Sequence, residues 1–354
     1  MTAARARPLL ALSLLLLAGA CLLFAGCGRR SKGDDASAKT ASANTLDALA
    51  GAGEGLTELT PAPSAAAGAT PDVRDRPQCP VAKPHASGNQ DGTLESGGLQ
   101  RSYILHVPPS YDGTGRTPLV LNLHGFGSNA RQQAIYSGLP AKADREGFIV
   151  VTPDGAGTPQ RWNILTAAGV DDVAFMGDLL NRVEADLCID ERQVFAAGIS
   201  NGSAFAQRLA CAMPDRITAV AAVAALVFPI RCGTDRAIPV IAFHGTEDPC
   251  VPFTGGTSKC GMGLPVPAVE AAATDWARHD GCDMEPARQE WSKHVRTIAY
   301  SECRDDTAVL LFVIDGGGHT WPGSIDVPRL GATTQEVNAT DEMWAFFAAQ
   351  GSLR

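Results

Sequence analysis

The feature that most constrains this chain is a series of short, unbroken apolar runs, most of them closed by a glycine-marked loop. They are "PLVLNLHG", "GFIVVTPDG", "RQVFAAG", "AVAAVAAL", "IPVIAFHG" and "AVLLFVIDG". A strand with one wet face alternates polar and apolar residues, whereas a strand covered on both faces reads as continuous apolar sequence. An earlier run, "SYILHV" (Ser102–Val107), alternates as a strand should and is closed by Pro108 and Pro109. Segments of helical spacing lie between the runs. "DDVAFMGDLLNRVEADL" follows an acidic start, "GSAFAQRLACAM" stops near Pro214, and "VPAVEAAATDWARHDG" and "NATDEMWAFFAAQG" come later. Asn338 is the expected N-cap of the last and Gly351 its expected stop. Strands alternating with helices predict an α/β fold, a mostly parallel central sheet with helices on both faces. Such sheets bind ligands outside the carboxyl ends of their strands.

The first residues are set aside as a targeting segment. Arg5 and Arg7 precede the apolar run Leu9–Gly26, which approaches the ~20 residues a bilayer needs, and "FAGC" ends in Cys27. Small residues directly before a cysteine resemble a bacterial lipoprotein processing site, so residues 1–27 are expected to be a signal peptide with Cys27 lipidated. Plain secretion and a retained anchor are the alternatives, and all three place the folded part outside the cytoplasm. Residues 28–78 are rich in Ala, Ser, Thr, Gly and Pro and poor in large apolar side chains. Such a segment cannot bury enough surface to offset its ordering entropy, and a flexible tether is expected. Residues 79–354 then form one domain.

Cysteine usage agrees with export. Beyond Cys21 and Cys27 the chain has Cys79, Cys188, Cys211, Cys232, Cys250, Cys260, Cys282 and Cys303. An even set in an exported domain implies disulfides. Cys282–Cys303 and Cys250–Cys260 make local bridges, leaving Cys211–Cys232 and Cys79–Cys188, although connectivity does not follow from sequence. No zinc-ligand spacing is present, so no metal is expected. The net charge of −9, with no basic patch interleaved with aromatics, argues against a nucleic-acid partner.

The chemistry centres on "GISNG", where Ser200 stands between Gly198 and Gly202 at a strand-to-helix turn. A turn that tight needs small residues two before and two after the serine, and it exposes the hydroxyl at the start of a helix. The Asn201 backbone N–H would face the charge formed when Ser200 attacks a carbonyl. A serine hydroxyl is a poor nucleophile until a histidine takes its proton, and that histidine needs an acid to fix its tautomer. Asp248, in "HGTEDPCVPF", and His319, in "GGGHTWPG", follow in that order after strand-like runs. Glu247 and Asp315 are the rival acids. His124 and His244 sit too near their own strand ends and are expected to hold loop backbone. His279 and His294 fall where solvated side chains are the default. A second oxyanion N–H is expected from "LHGFGSNA", with Phe126 as donor and Gly127 as the alternative. Trp162 and Trp321 are candidate pocket walls, and Asp171 and Asp172 are expected to cap and brace a helix.

These motifs, together with "TPDG" followed by "WN", "DDVAF" and "GISNGSAFAQRLAC", resemble the secreted α/β-hydrolase esterases that include polyhydroxybutyrate-depolymerase-like proteins and feruloyl esterases. The resemblance spans roughly Gly92 to Gly351. It implies Ser200 as nucleophile, Asp248 as orienting acid and His319 as base, with no cofactor. Ser203 departs from the glycine usual in relatives and is expected to narrow the pocket wall behind the elbow. The expected activity is hydrolysis of a small or oligomeric carboxylic ester. A serine peptidase of the same fold and a catalytically silent surface binding protein are the other readings.

Overall fold

The computed structural model describes residues 76–165, 169–229, 232–261 and 263–352. The expected signal peptide and almost all of the expected tether lie outside them. Described structure begins before the expected boundary at Cys79. Arg76 donates to the Gly147 carbonyl at 2.9 Å, Arg116 N–H donates to the Pro77 carbonyl at 2.7 Å, and Gln78 bridges Gly115.

In chain order the strands and helices are β1 (Gly88–Ser96), β2 (Leu99–Val107), β3 (Thr117–Leu123), α1 (Ala130–Ser137), α2 (Leu139–Glu146), β4 (Ile149–Pro153), α3 (Asp172–Asp186), β5 (Ile189–Ile199) and α4 (Asn201–Ala212). They continue with β6 (Ala219–Val223), β7 (Val240–Gly245), β8 (Gly256–Thr257), β9 (Pro265–Val266), α5 (Val269–Asp280), β10 (Ala287–Ser292), β11 (Val295–Tyr300), β12 (Val309–Ile314) and α6 (Ala339–Ser352). A ten-stranded sheet has the order β1-β2-β4-β3-β5-β6-β7-β12-β11-β10, and β8 pairs only with β9. From β4 through β12 the neighbours are parallel. Two antiparallel strands flank them at each edge.

The parallel centre coincides with the apolar runs. β3, β4, β6 and β7 are buried at every position. One face carries α3, α4 and α5, through Phe175, Leu179, Phe205 and Trp276. The other carries α2 and α6, through Leu139, Trp344 and Phe347. There Phe195 stacks on Phe347 at 4.5 Å and Phe148 on Trp344 at 3.9 Å. Full burial of each such side chain contributes about 1.5–3 kcal/mol.

The edge strands β1, β10 and β11 were not expected. β10 is almost wholly exposed and β1 alternates between half-buried and exposed positions, so neither carries the apolar signature of the centre. Helix ends follow capping chemistry. Asp171 caps α3 by accepting the Ala174 N–H, and Asn338 Oδ1 accepts the N–H groups of Thr340 and Asp341 at 3.0 and 3.1 Å. Gly351 does not stop α6, which runs through it to Ser352. Among the described residues no helix is long and apolar enough to cross a membrane. The bridges Cys79–Cys188, Cys211–Cys232, Cys250–Cys260 and Cys282–Cys303 are the expected four, and they place the domain in an oxidising compartment outside the cytoplasm.

His279 is not a solvated side chain. Its Nδ1 donates to Asp280 Oδ1 at 2.7 Å and its Nε2 to the Thr234 carbonyl at 2.9 Å. Both ring nitrogens face acceptors, so the imidazolium satisfies them best. The Asp280 hydrogen bond is the main cause of a His279 pKa raised above 6.5, while burial raises that of Asp280 itself. The folded state therefore binds the His279 proton more tightly than the unfolded chain does. This stabilisation is complete below pH 6.5 and is lost as pH rises through the raised folded value. The thermal midpoint should fall as pH rises above 6.5 and through that raised value, and His279→Gln should flatten that slope. An equal slope in the variant would rule out this origin.

Candidate active site

Ser200 stands at the turn from β5 into α4 with φ 57° and ψ −121°. This strained backbone is held by the absence of side chains around it. A Cβ on Gly198 would lie 2.5 Å from the Gly202 backbone, and one on Gly202 would lie 2.3 Å from the Leu123 carbonyl oxygen. Ser200 N–H donates to the Val223 carbonyl at 2.8 Å, tying the turn to the end of β6. Positive φ at a non-glycine residue costs of order 1–3 kcal/mol and persists only where the surroundings over-determine it.

The loop after β3 passes beside the serine, since a Cβ on Gly125 would lie 3.5 Å from Ser200 Cβ. Gly127 N–H donates to the Gln160 carbonyl at 2.8 Å and is thereby occupied. Phe126, whose N–H takes no partner among the described residues, is the remaining candidate of the two. Its ring supports the loop closed by Cys250–Cys260, because a Cβ on Gly261 would meet that ring at 2.7 Å. Sequence reasoning missed Gly261. The only signal was a glycine directly after a cysteine.

Asn201 shows how the turn is braced. Its side-chain oxygen accepts the Trp162 N–H at 2.7 Å and its side-chain nitrogen donates to the Trp162 carbonyl at 3.1 Å. Trp162 is fully buried, stacks on Phe205 at 5.1 Å, and donates its indole N–H to the His124 carbonyl at 2.9 Å. It is a packing residue, not the expected pocket wall. Trp321 is likewise buried, with its indole N–H donating to Thr340 Oγ1 at 2.9 Å. Both flank motif loops in sequence while their rings point into the core. Ser203 is corrected in the same sense: it is buried, and its Oγ donates to the Ala225 carbonyl at 2.8 Å, so it ties α4 to the chain after β6. Behind Trp162, Asp172 accepts the Asn163 N–H at 2.7 Å and pairs with the buried Arg101 at 2.8 Å.

The loops after β7 and β12 bring the acid and the histidine together. The parent strands are parallel neighbours, and a Cβ on Gly245 would lie 2.1 Å from the Gly317 carbonyl oxygen. His319 Nδ1 donates to Asp248 Oδ2 at 2.8 Å, which leaves Nε2 as the other face of the ring. Asp248 is buried, and its Oδ1 accepts the N–H groups of Cys250 and Val251 at 2.7 and 2.8 Å. The rival acids are elsewhere. Glu247 is exposed, and the exposed Asp315 lies 3.7 Å from Arg296. His124 holds loop backbone as expected, donating from Nδ1 to the Gly125 carbonyl at 2.7 Å and accepting the Gly155 N–H at Nε2 at 2.8 Å. Burial lowers its pKa and keeps it neutral. Asp248, Cys250 and His319 cluster within 4.8 Å. They make no metal site, because the sulfur is in a disulfide and the acid and imidazole are spent on each other.

A serine at a glycine-flanked elbow, beside a parallel sheet whose later strands deliver a carboxylate–histidine pair, defines the α/β-hydrolase fold. Acetyl xylan esterase from Aspergillus awamori has the same fold, with a TM-score of 0.53 at 14% identity over 73% of this chain and 99% of that one. The family model for esterase PHB depolymerase matches residues 101–260. "Putative esterase NocK" of Nocardia uniformis subsp. tsuyamanensis is 30% identical over 270 residues, 69% of this chain and 78% of that protein. Feruloyl esterase B of Piromyces equi is 30% identical over 229 residues, 62% of this chain, which spans 42% of that enzyme's length. The chain belongs to this family of carboxylic ester hydrolases, which takes in polyhydroxybutyrate-depolymerase-like proteins and feruloyl esterases.

Proposed function

We propose that this chain is an exported serine esterase, held at a bacterial cell envelope through a lipid on Cys27 and acting on small or oligomeric esters of the feruloyl or 3-hydroxybutyrate type. The observation that carries the reading is the 2.8 Å bond from His319 Nδ1 to the buried Asp248, on loops leaving the same sheet end as the Ser200 elbow. Asp248 fixes the tautomer with Nε2 as the base. His319 takes the Ser200 proton as the oxygen attacks the ester carbonyl. The oxyanion is held by the N–H groups of Phe126 and Asn201, and His319 then protonates the leaving alcohol. Water, deprotonated by the same histidine, releases the acid and restores the serine. The chemistry closes without a cofactor or a nucleic-acid partner.

The test is a set of initial rates on a short p-nitrophenyl ester, methyl ferulate, a 3-hydroxybutyrate oligomer and a dipeptide amide. Ester turnover without amide turnover is expected, and the preferred ester identifies the acyl class. Preference for the amide would make the protein a peptidase. A folded protein inert to every substrate and to a fluorophosphonate probe would make it a silent binding scaffold.

A further inference from the structure

We propose that His244, a second histidine beside the acid, is a positioning residue that holds the Asp248 carboxylate in line with His319. The inference rests on the reading of His319 as the base. His244 is near the end of β7, and its side chain is fully buried. Its Nε2–H donates to the Val251 carbonyl at 2.9 Å, and the same nitrogen stands 3.4 Å from Asp248 Oδ2. Val251 in turn donates its N–H to Asp248 Oδ1 at 2.8 Å. The peptide groups of Val251 are thus fixed at two points, the carbonyl by His244 and the N–H by the carboxylate. Withdrawing the imidazole releases the carbonyl and lets the 248–251 loop turn, and the carboxylate turns with it.

The protonation state of His244 follows from its partners. Nε2 faces a carbonyl and must carry the hydrogen. Nδ1 is buried with no hydrogen-bond partner among the described residues, so a proton there would be an unpaired charge away from water. Burial accordingly lowers its pKa, with Asp248 opposing and His319 assisting. Those two are the titratable groups that act on it, Asp248 from the loop after its own strand and His319 from the loop after β12. Phe253 closes another side with an edge-to-face contact at 6.0 Å. A neutral donor suits this place. It presents the positive end of an N–H dipole to the carboxylate without cancelling the charge that stabilises the His319 imidazolium. A lysine or arginine would cancel it.

The experiment compares His244→Leu, which keeps bulk without a donor, with His244→Gln, whose amide nitrogen reaches about as far as Nε2. Readouts are kcat, KM, the midpoint of the acid limb of kcat/KM, and the low-field proton signal of the His319–Asp248 bond. His244→Leu is expected to lower kcat about tenfold or more with KM changed less than about twofold, since small misplacement of catalytic groups is costly. Its acid limb should move, and the low-field signal should broaden or shift. His244→Gln should recover kcat to within about threefold of wild type, together with the signal. If His244→Leu does not fold, His244→Asn, polar but too short for the Val251 carbonyl, carries the same expectations. His244→Leu, or His244→Asn in its place, with kcat within about twofold of wild type and an unmoved signal overturns the proposal. So do equal losses in the Leu and Gln variants with limb and signal unmoved, which would mean loop packing alone. The proton signal is read without substrate. A wild type that hydrolyses nothing would sink the esterase reading while the signal still decides the role of His244.

Discussion

Ser200→Ala is expected to lower kcat/KM for the preferred ester by about 10⁴- to 10⁶-fold, with the thermal midpoint nearly unchanged. The size follows from what the serine does. Without its oxygen there is no acyl-enzyme, and only the oxyanion donors and binding remain to help water attack. The fold should tolerate the change. The backbone at φ 57° is imposed by Gly198, Gly202 and the bond from Ser200 N–H to Val223, and alanine keeps that N–H and the Cβ. Burst kinetics and covalent labelling by a fluorophosphonate check the same point, since both need the hydroxyl. A variant that retains a tenth or more of wild-type turnover removes Ser200 from the mechanism.

The second large effect is expected at Asp248, where an isosteric change should cost about 10⁴-fold in kcat. Asp248 accepts three N–H groups, from His319 at 2.8 Å, Cys250 at 2.7 Å and Val251 at 2.8 Å. Asparagine has one acceptor oxygen and one donor nitrogen for these positions. With its oxygen toward Cys250 and Val251, its nitrogen faces His319 Nδ1 and selects the tautomer with hydrogen on Nε2, which cannot take the serine proton. With the amide reversed, the donor meets two backbone donors and the loop opens. Steady-state kinetics beside a thermal melt separates the outcomes. Loss of kcat with a preserved fold supports the tautomer argument, whereas activity within about tenfold of wild type would overturn it.

The parallel centre of the fold was legible because β3, β4, β6 and β7 lie between two helix layers and must be apolar throughout. The flanking strands β1, β10 and β11 were not. β10 pairs on one side only and is almost wholly exposed, so hydrogen bonding defines it rather than residue type. At the site, residue identity and order were enough to single out Ser200, Asp248 and His319 as candidates, because the elbow needs small residues at fixed spacing and the two later loops follow parallel strands. Side-chain direction was not available in that way. Trp162 and Trp321 sit beside motif loops in the chain, yet their rings turn inward to Phe205 and Thr340.

What the sequence alone determined was therefore local: which segments are buried on both faces, where a tight turn is possible, and which residue types could move a proton. Only the tertiary structure decided the partners. Gln160 occupies the Gly127 N–H and leaves Phe126 as the candidate donor. Arg296 lies by Asp315 while Asp248 meets His319. Val251 places His244 against the carboxylate. Most of these contacts join loops from different strands, and a hydrogen bond depends on distances of a few tenths of an ångström that residue order does not encode.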